Sequence, residues 1–171
     1  LKKKKKPYTG FLYVGLMIKN NEPYLIEYNV RMGDPECQVI LPRLKTDIVK
    51  IFEKSTSDKL INTKIEWKRK KCMTIVLCAK GYPRRYKKNL VIKNIDKLKL
   101  SKQDYIFHAG TKIVDNELRS NGGRVLNITS VGNSFLKIRK NIINNLKKLN
   151  WKKGFYRKDI GWRVINKNES Y

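Results

Sequence analysis

The sequence predicts an α+β protein in two successive parts: a hairpin with helices first, then a mostly antiparallel unit with one late helix. Three observations predict it. Strand-length apolar runs at residues 11–18 and 24–30 are separated by the turn-rich segment KNNEP. A second set of β-rich runs, at 72–79 and 124–131, is punctuated by glycine and proline. Across 133–149, Phe135, Ile138, Ile142, Leu146 and Leu149 recur every three or four residues, the period of an amphipathic helix.

The first two runs read as a hairpin closed by KNNEP. Pro35 stands where a helix can begin, with Asp34 as its N-cap, and Cys37, Ile40, Leu41 and Leu44 follow at helical spacing. Pro42 predicts an interruption. A second helix is expected from Thr46, capped by Thr46 or Asp47, with Ile48, Ile51 and Phe52 on its buried face. Residues 55–63 read as its frayed end and a linker. Beyond it come a strand at 72–79, a turn at Gly81-Tyr82-Pro83, and short strands over 90–100 broken at Asp96-Lys97. Strands at 104–108 and 111–114 flank Ala109-Gly110, and a strong strand follows Gly122-Gly123. The tail GFYRKDIGWRVI closes the second part, and no internal repeat is visible. The boundary between the parts is expected between about Leu44 and Lys71.

With 171 residues, 40% of them hydrophobic, the chain can build a packed core. No run of about twenty apolar residues predicts a membrane span, and no long apolar stretch follows LKKKKK to make a signal peptide. Cys37, Cys72 and Cys78 have no CxxC spacing, which argues against a zinc site or disulfide framework and for a reducing cytoplasm. The net charge of +26 invites a nucleic-acid partner. The charge, however, comes mostly as lysine in a chain also loaded with isoleucine and asparagine, the residues of A/T-rich codons. YIFHAG lacks the aromatic pattern of an RNA-binding sheet. Compositional drift therefore accounts for the charge better than a nucleic-acid role. The chain starts at Leu1 with a strand pattern close behind, so a piece of a longer protein is expected.

The segment LIEYNVRMGDPE carries the most chemistry. On a strand, Glu27, Asn29 and Arg31 share one face, which Leu25 would extend, while Ile26, Tyr28 and Val30 take the other. A carboxylate and an amide oxygen suit a hard cation, and a guanidinium suits a phosphate or carboxylate. A half-exposed surface strand with mixed polar residues gives the same pattern.

Further landmarks join these. GFLYVGLMI and LIEYNVRMGDPECQVILPRL, then GYP at 81–83, FHAGT at 107–111, GGRVLNITSVG at 122–132 and FYRKDIGWR at 155–163, stand in order over most of the chain. Together they resemble the C-terminal portion of the phosphoribosylamine–glycine ligase (glycinamide ribonucleotide synthetase) family of the ATP-grasp superfamily. The resemblance implies that residues 1–60 are the end of an ATP-grasp domain and 61–171 the family's C-terminal domain. It covers roughly the last two fifths of the family's usual length, without the N-terminal substrate domain or the part that holds adenine.

What the resemblance implies is ATP-dependent joining of glycine to 5-phosphoribosylamine in de novo purine synthesis. The glycine carboxylate attacks the γ-phosphate, and the amine then displaces phosphate from glycyl phosphate. Glu27 and Asn29 become ligands of Mg2+ or Mn2+, and Arg31 the catalytic contact to phosphate or the reacting carboxylate. Asp34 and Glu36 border the substrate, although Asp34 could equally be a structural cap. The preceding strand, LYVGLMI, offers no acidic ligand. Gly122, Gly123 and Arg124 could contact a nucleotide phosphate, or simply make a tight turn. His108 is expected to be buried and satisfied, Cys37 to be a small apolar residue, and Gly81-Tyr82-Pro83 a turn. After that turn the family usually continues with another glycine, whereas here Arg84-Arg85 follows. The implied partners are glycine, 5-phosphoribosylamine, ATP and the missing N-terminal part, without which the 171 residues are expected to be inactive. The alternatives are a free-standing basic nucleic-acid-binding module and another ATP-grasp carboxylate–amine ligase.

Overall fold

The structure, a computed structural model, describes residues 8–149 and 151–166. The chain divides into two compact units, Leu1–Cys37 with Leu44–Lys68, and Gln38–Arg43 with Arg69–Tyr171. The architecture is the expected α+β type.

In the first unit, β1 (Tyr13–Lys19) and β2 (Glu22–Asn29) pair antiparallel, with Lys19 opposite Glu22. The turn is only Asn20-Asn21, both with positive φ (52° and 63°), as a type I′ hairpin turn requires. Pro23 therefore lies inside β2, opposite Ile18, rather than in the turn; a two-stranded ribbon has only edge strands, where a missing N–H is tolerated. A bulge follows, because Gly15 faces Glu27 while Leu16 faces Leu25. Ile26 is the extra residue, so strict alternation stops there and Leu25 does not simply extend the Glu27 face.

The first helix corrects the expectation of a start at Pro35. Asp34, Pro35 and Glu36 form a turn, the Asp34–Pro35 peptide is cis, and α1 spans only Cys37–Ile40. Asp34 is thus not its N-cap. A short 3-10 segment, Leu41–Arg43, carries Pro42. The second helix, α2 (Ile48–Thr56), is capped by Asp47, whose Oδ1 accepts the Val49 N–H at 2.8 Å. Thr46 does something else: its Oγ1 accepts the Glu66 N–H at 2.7 Å and helps tie residues 45–46 to 66. Ile48 and Ile51 are only half-buried, and Phe52 meets Phe11 edge to face.

The second unit holds the core. Its sheet has the order β4-β7-β3-β8, all antiparallel: β4 (Asp104–His108), β7 (Arg124–Gly132), β3 (Lys71–Ala79) and β8 (Gly154–Phe155). The central strand β7 is buried from Val125 to Val131, and β3 alternates, with Met73, Ile75, Leu77 and Ala79 inside. Helix α3 (Phe135–Leu149) packs on this sheet through Ile138, Ile142, Leu146 and Leu149. Each such aliphatic side chain contributes on the order of 2 kcal/mol by leaving water.

A second hairpin, β5 (Thr111–Val114) and β6 (Glu117–Ser120), turns at Asp115-Asn116, again with positive φ at both residues. Sequence reading found β5 but not β6. The strands expected over 90–100 do not form. Residues 89–92 instead run irregularly beside β6, with the Ser120 N–H donating to Leu90 O and the Ile92 N–H to Leu118 O, and a 3-10 turn covers Ile95–Lys97. The last element among the described residues is α4 (Trp162–Asn166), and the segment before it is held by Arg139, which donates to the carbonyls of Lys158 and Ile160. Among the described residues no helix is long and apolar enough to cross a membrane.

Candidate functional site

Beyond the bulge, β2 regains its alternation, so Glu27 and Asn29 point to one side, with Cα atoms roughly 7 Å apart. Asn29 lies opposite Tyr13 at the open end of the hairpin. The Tyr13 hydroxyl donates to Glu36 Oε1 at 3.1 Å. That bond and the carboxylate's charge hold the Tyr13 phenol above its ordinary pKa; burial and Glu27 add to the shift, and Arg31 opposes it. Glu27, Arg31 and Glu36 are therefore all within electrostatic reach of one tyrosine. Sequence reading missed Tyr13, because its register opposite Asn29 is set by the bulge at Ile26.

The turn explains its own glycine. Gly33 is buried, and a Cβ there would lie 1.5 Å from Glu36 Oε2, so the Glu36 side chain folds back over it. The Cys37 N–H donates to Gly33 O at 2.9 Å and closes the turn. Arg31 is exposed and its Nη1 donates to Met32 O at 3.0 Å, while Asp34 is exposed in the turn that follows. Among the described residues no group of three or more His, Cys, Asp or Glu side chains converges as a metal cage. A donor pair of one carboxylate and one amide oxygen nevertheless suits magnesium, which completes its shell with water and phosphate.

In the second unit, three landmarks distant in sequence meet. The amides of Ala109 and Gly110 donate to Val125 O, and those of Asn121 and Gly122 donate to Gly110 O. A Cβ on Gly110 would lie 2.4 Å from Arg124 O and 2.9 Å from Gly122 Cα, so two backbones touch where only glycine fits. On the other side, the Ala79 N–H donates to Gly123 O at 2.7 Å, and the Tyr82 ring covers Gly123. The Gly122 amide is thus engaged by Gly110 rather than presented outward. Arg124 lies near Cys78, whose thiol is raised by burial and drawn back by that guanidinium. His108 corrects the expectation of a buried ring: it is exposed, with Nδ1 bonded to Thr111 Oγ1 at 2.9 Å. Cys37 is half-buried.

A hairpin with short helices, ahead of a glycine-knit and mostly antiparallel domain with one late helix, is the class: the tail of an ATP-grasp fold followed by a C-terminal domain. Residues 72–163 match the family described as "Phosphoribosylglycinamide synthetase, C domain", and residues 1–37 match "Phosphoribosylglycinamide synthetase, ATP-grasp (A) domain". The chain belongs to the phosphoribosylglycinamide synthetase family. It is 40% identical over 164 residues to the phosphoribosylamine–glycine ligase of Brucella melitensis, covering 96% of this chain and 38% of that one. Identity is 41% over 164 residues to the Agrobacterium fabrum enzyme, with the same coverage. The crystal structure of phosphoribosylamine–glycine ligase from Thermotoga maritima superposes with a TM-score of 0.75 at 33% identity, covering 92% of this chain and 38% of that one. The chain thus spans less than two fifths of the length of these relatives.

Proposed function

We propose that the chain supplies the C-terminal part of a cytoplasmic phosphoribosylamine–glycine ligase, which joins glycine to 5-phosphoribosylamine with ATP in purine synthesis. The observation that carries this reading is the family match over most of the chain, beside a hairpin end where Tyr13 bonds Glu36 and pairs opposite Asn29.

Glu27 and Asn29 would hold a magnesium or manganese ion, which when bound neutralises charge between two approaching anions. Arg31 offers its remaining guanidinium donors to a phosphate or to the glycine carboxylate as it attacks the γ-phosphate. Glu36, engaged by Tyr13 and folded over Gly33, keeps the turn in place; Asp34, exposed at the turn, is the carboxylate assigned to the amine substrate. Arg124 is assigned as an anion partner in the second unit. The expected glycine contacts to phosphate are not carried forward, since Gly122 has its amide engaged by Gly110 and Gly123 is buried under the Tyr82 ring.

The hairpin's exposed apolar side chains support a larger partner. Leu16, Met17, Ile18, Leu25, Ile26 and Val30 are each about half exposed or more. They form the surface on which the remaining length found in the relatives would pack. The test is a chimera in which this chain replaces the last part of the Brucella melitensis enzyme, expressed in a purine auxotroph lacking the ligase. Growth without purines is expected, and Glu27→Ala should abolish it. A well-folded chimera that never restores growth, or a Glu27→Ala chimera with full activity, overturns the reading. Glycinamide ribonucleotide formation by the 171 residues alone would refute the dependence on the remaining length.

A further inference from the structure

After β3 the chain makes a compact loop over residues 80–90. The Tyr82 N–H donates to Ala79 O at 3.0 Å and the Arg84 N–H to Gly81 O at 2.9 Å. Gly81 has a φ of +101° and lies against Arg85 O. The Tyr82 ring rests on Gly123 and meets the Tyr86 ring edge to face at 6.0 Å. The Lys80 N–H donates to Lys153 O at 2.8 Å, which pins this loop to the turn before β8. The loop is therefore built rather than loose.

Between the loop and that turn lies a cavity of about 450 Å³, lined by Lys80, Arg85, Tyr86, Lys87, Leu90 and Lys153. Its volume is in the range of small-molecule sites. Four of its six lining residues are cations and none is a carboxylate. Among the described residues none of these four cations forms an ion pair. Elsewhere a few cations have carboxylate partners, as in Lys45–Glu66 and Arg157–Asp159, whereas 40 Lys and Arg against 14 Asp and Glu leave most of them unpaired; what sets this group apart is that four line one concavity. Four uncompensated charges around one concavity repel one another unless an anion enters.

We propose that this cavity binds a phosphate monoester of sugar-phosphate or mononucleotide size. Arg85 would grip the phosphate through paired N–H donors, Lys80, Lys87 and Lys153 would supply point charges, and Tyr86 with Leu90 would form the wall for the sugar or base. The proposal requires no turnover and uses none of the hairpin residues, so it stands or falls separately from the ligase reading.

The test is calorimetric titration of this chain with ribose 5-phosphate, AMP and ribose, at about 0.15 M salt. Saturable binding of one phosphate ester per chain is expected, with no binding of ribose. Preference for ribose 5-phosphate assigns a sugar phosphate, and preference for AMP a nucleotide; either supports the site. The double change Arg85→Gln with Lys153→Gln should weaken binding by about tenfold or more. Both side chains are exposed, so the fold should be unaffected, as circular dichroism would verify, and Lys112→Gln should leave affinity unchanged. The proposal is overturned by absence of saturation, or by an affinity insensitive to the double change. Binding to poly(U) that strengthens with length, collapses with salt and displaces the esters would also overturn it, because that is the behaviour of a polyelectrolyte surface.

Discussion

Replacing Asn145 with alanine tests how the second unit is closed. Asn145 is 1% exposed on the sheet-facing side of α3. Its Oδ1 accepts the Lys99 N–H at 3.0 Å, and its Nδ2 lies 3.4 Å from Lys99 O and 3.2 Å from Asn141 O. One side-chain amide thus serves the backbone of Lys99 as a neighbouring strand would, in a segment that forms no ladder of its own. Alanine removes one good and one long tertiary hydrogen bond and leaves the Lys99 N–H without its partner. At about 1 kcal/mol per net bond, with a further penalty for the orphaned donor, the loss is about 2–3 kcal/mol. That is a large share of the stability of a small unit. Urea unfolding should report it as a lower midpoint at unchanged slope. Hydrogen exchange should show the Lys99 amide losing protection ahead of its neighbours. A stability change below about 0.5 kcal/mol, within the range of ordinary surface substitutions, would refute the reasoning, as would unchanged protection at Lys99.

Two further predictions concern protons. For Asp104, burial pushes the carboxyl upward, but bonds from Ser130, Ser101 and Asn141 together bring it below the usual aspartate value. The associated stability is therefore present above the unfolded-state pKa of about 4 and lost as pH falls through the folded value. Asp104→Asn should lower the urea midpoint at neutral pH, with the gap to wild type closing in acid; a gap that persists in acid would count against the assignment. For Cys72, burial pushes the thiol up to about 11 against the pull of Arg43. Its contribution is complete below the unfolded-state thiol pKa and is lost as pH rises through about 11. In a Cys37→Ser background, native protein at mildly alkaline pH should react slowly with a thiol reagent and fully after denaturation. Rapid stoichiometric labelling of the native chain would contradict it.

The elements most legible in the sequence were those with a local physical signature. Helix α3 announced itself by a period set by its own backbone geometry, and β7 by a run rich in β-branched residues after two glycines. The hairpin turn was visible in its asparagines, which tolerate positive φ. Less was visible where partners decide. Residues 90–100 alternate like a strand but are held irregularly by β6 and by Asn145. The helix expected from Pro35 starts later because Asp34–Glu36 are taken up in the turn that Glu36 and Tyr13 stabilise.

The candidate site divides the same way. Glu27 and Asn29 lie on one strand as alternation expects, because that period is a property of the chain itself, whereas Arg31 lies in the bend past the end of β2, where alternation no longer places it. The approach of Tyr13 was not legible, since it depends on the register between β1 and β2, which a bulge at Ile26 resets. By itself the sequence determined the family, the α+β class and which residues carry oxygens and guanidiniums, because these rest on local composition and motif order. Only the tertiary structure decided that Gly110 and Gly122 serve a backbone contact, that His108 is exposed, and that four cations from two distant segments surround one cavity. Those outcomes depend on contacts between residues far apart in sequence, and no local pattern encodes which distant partners will meet.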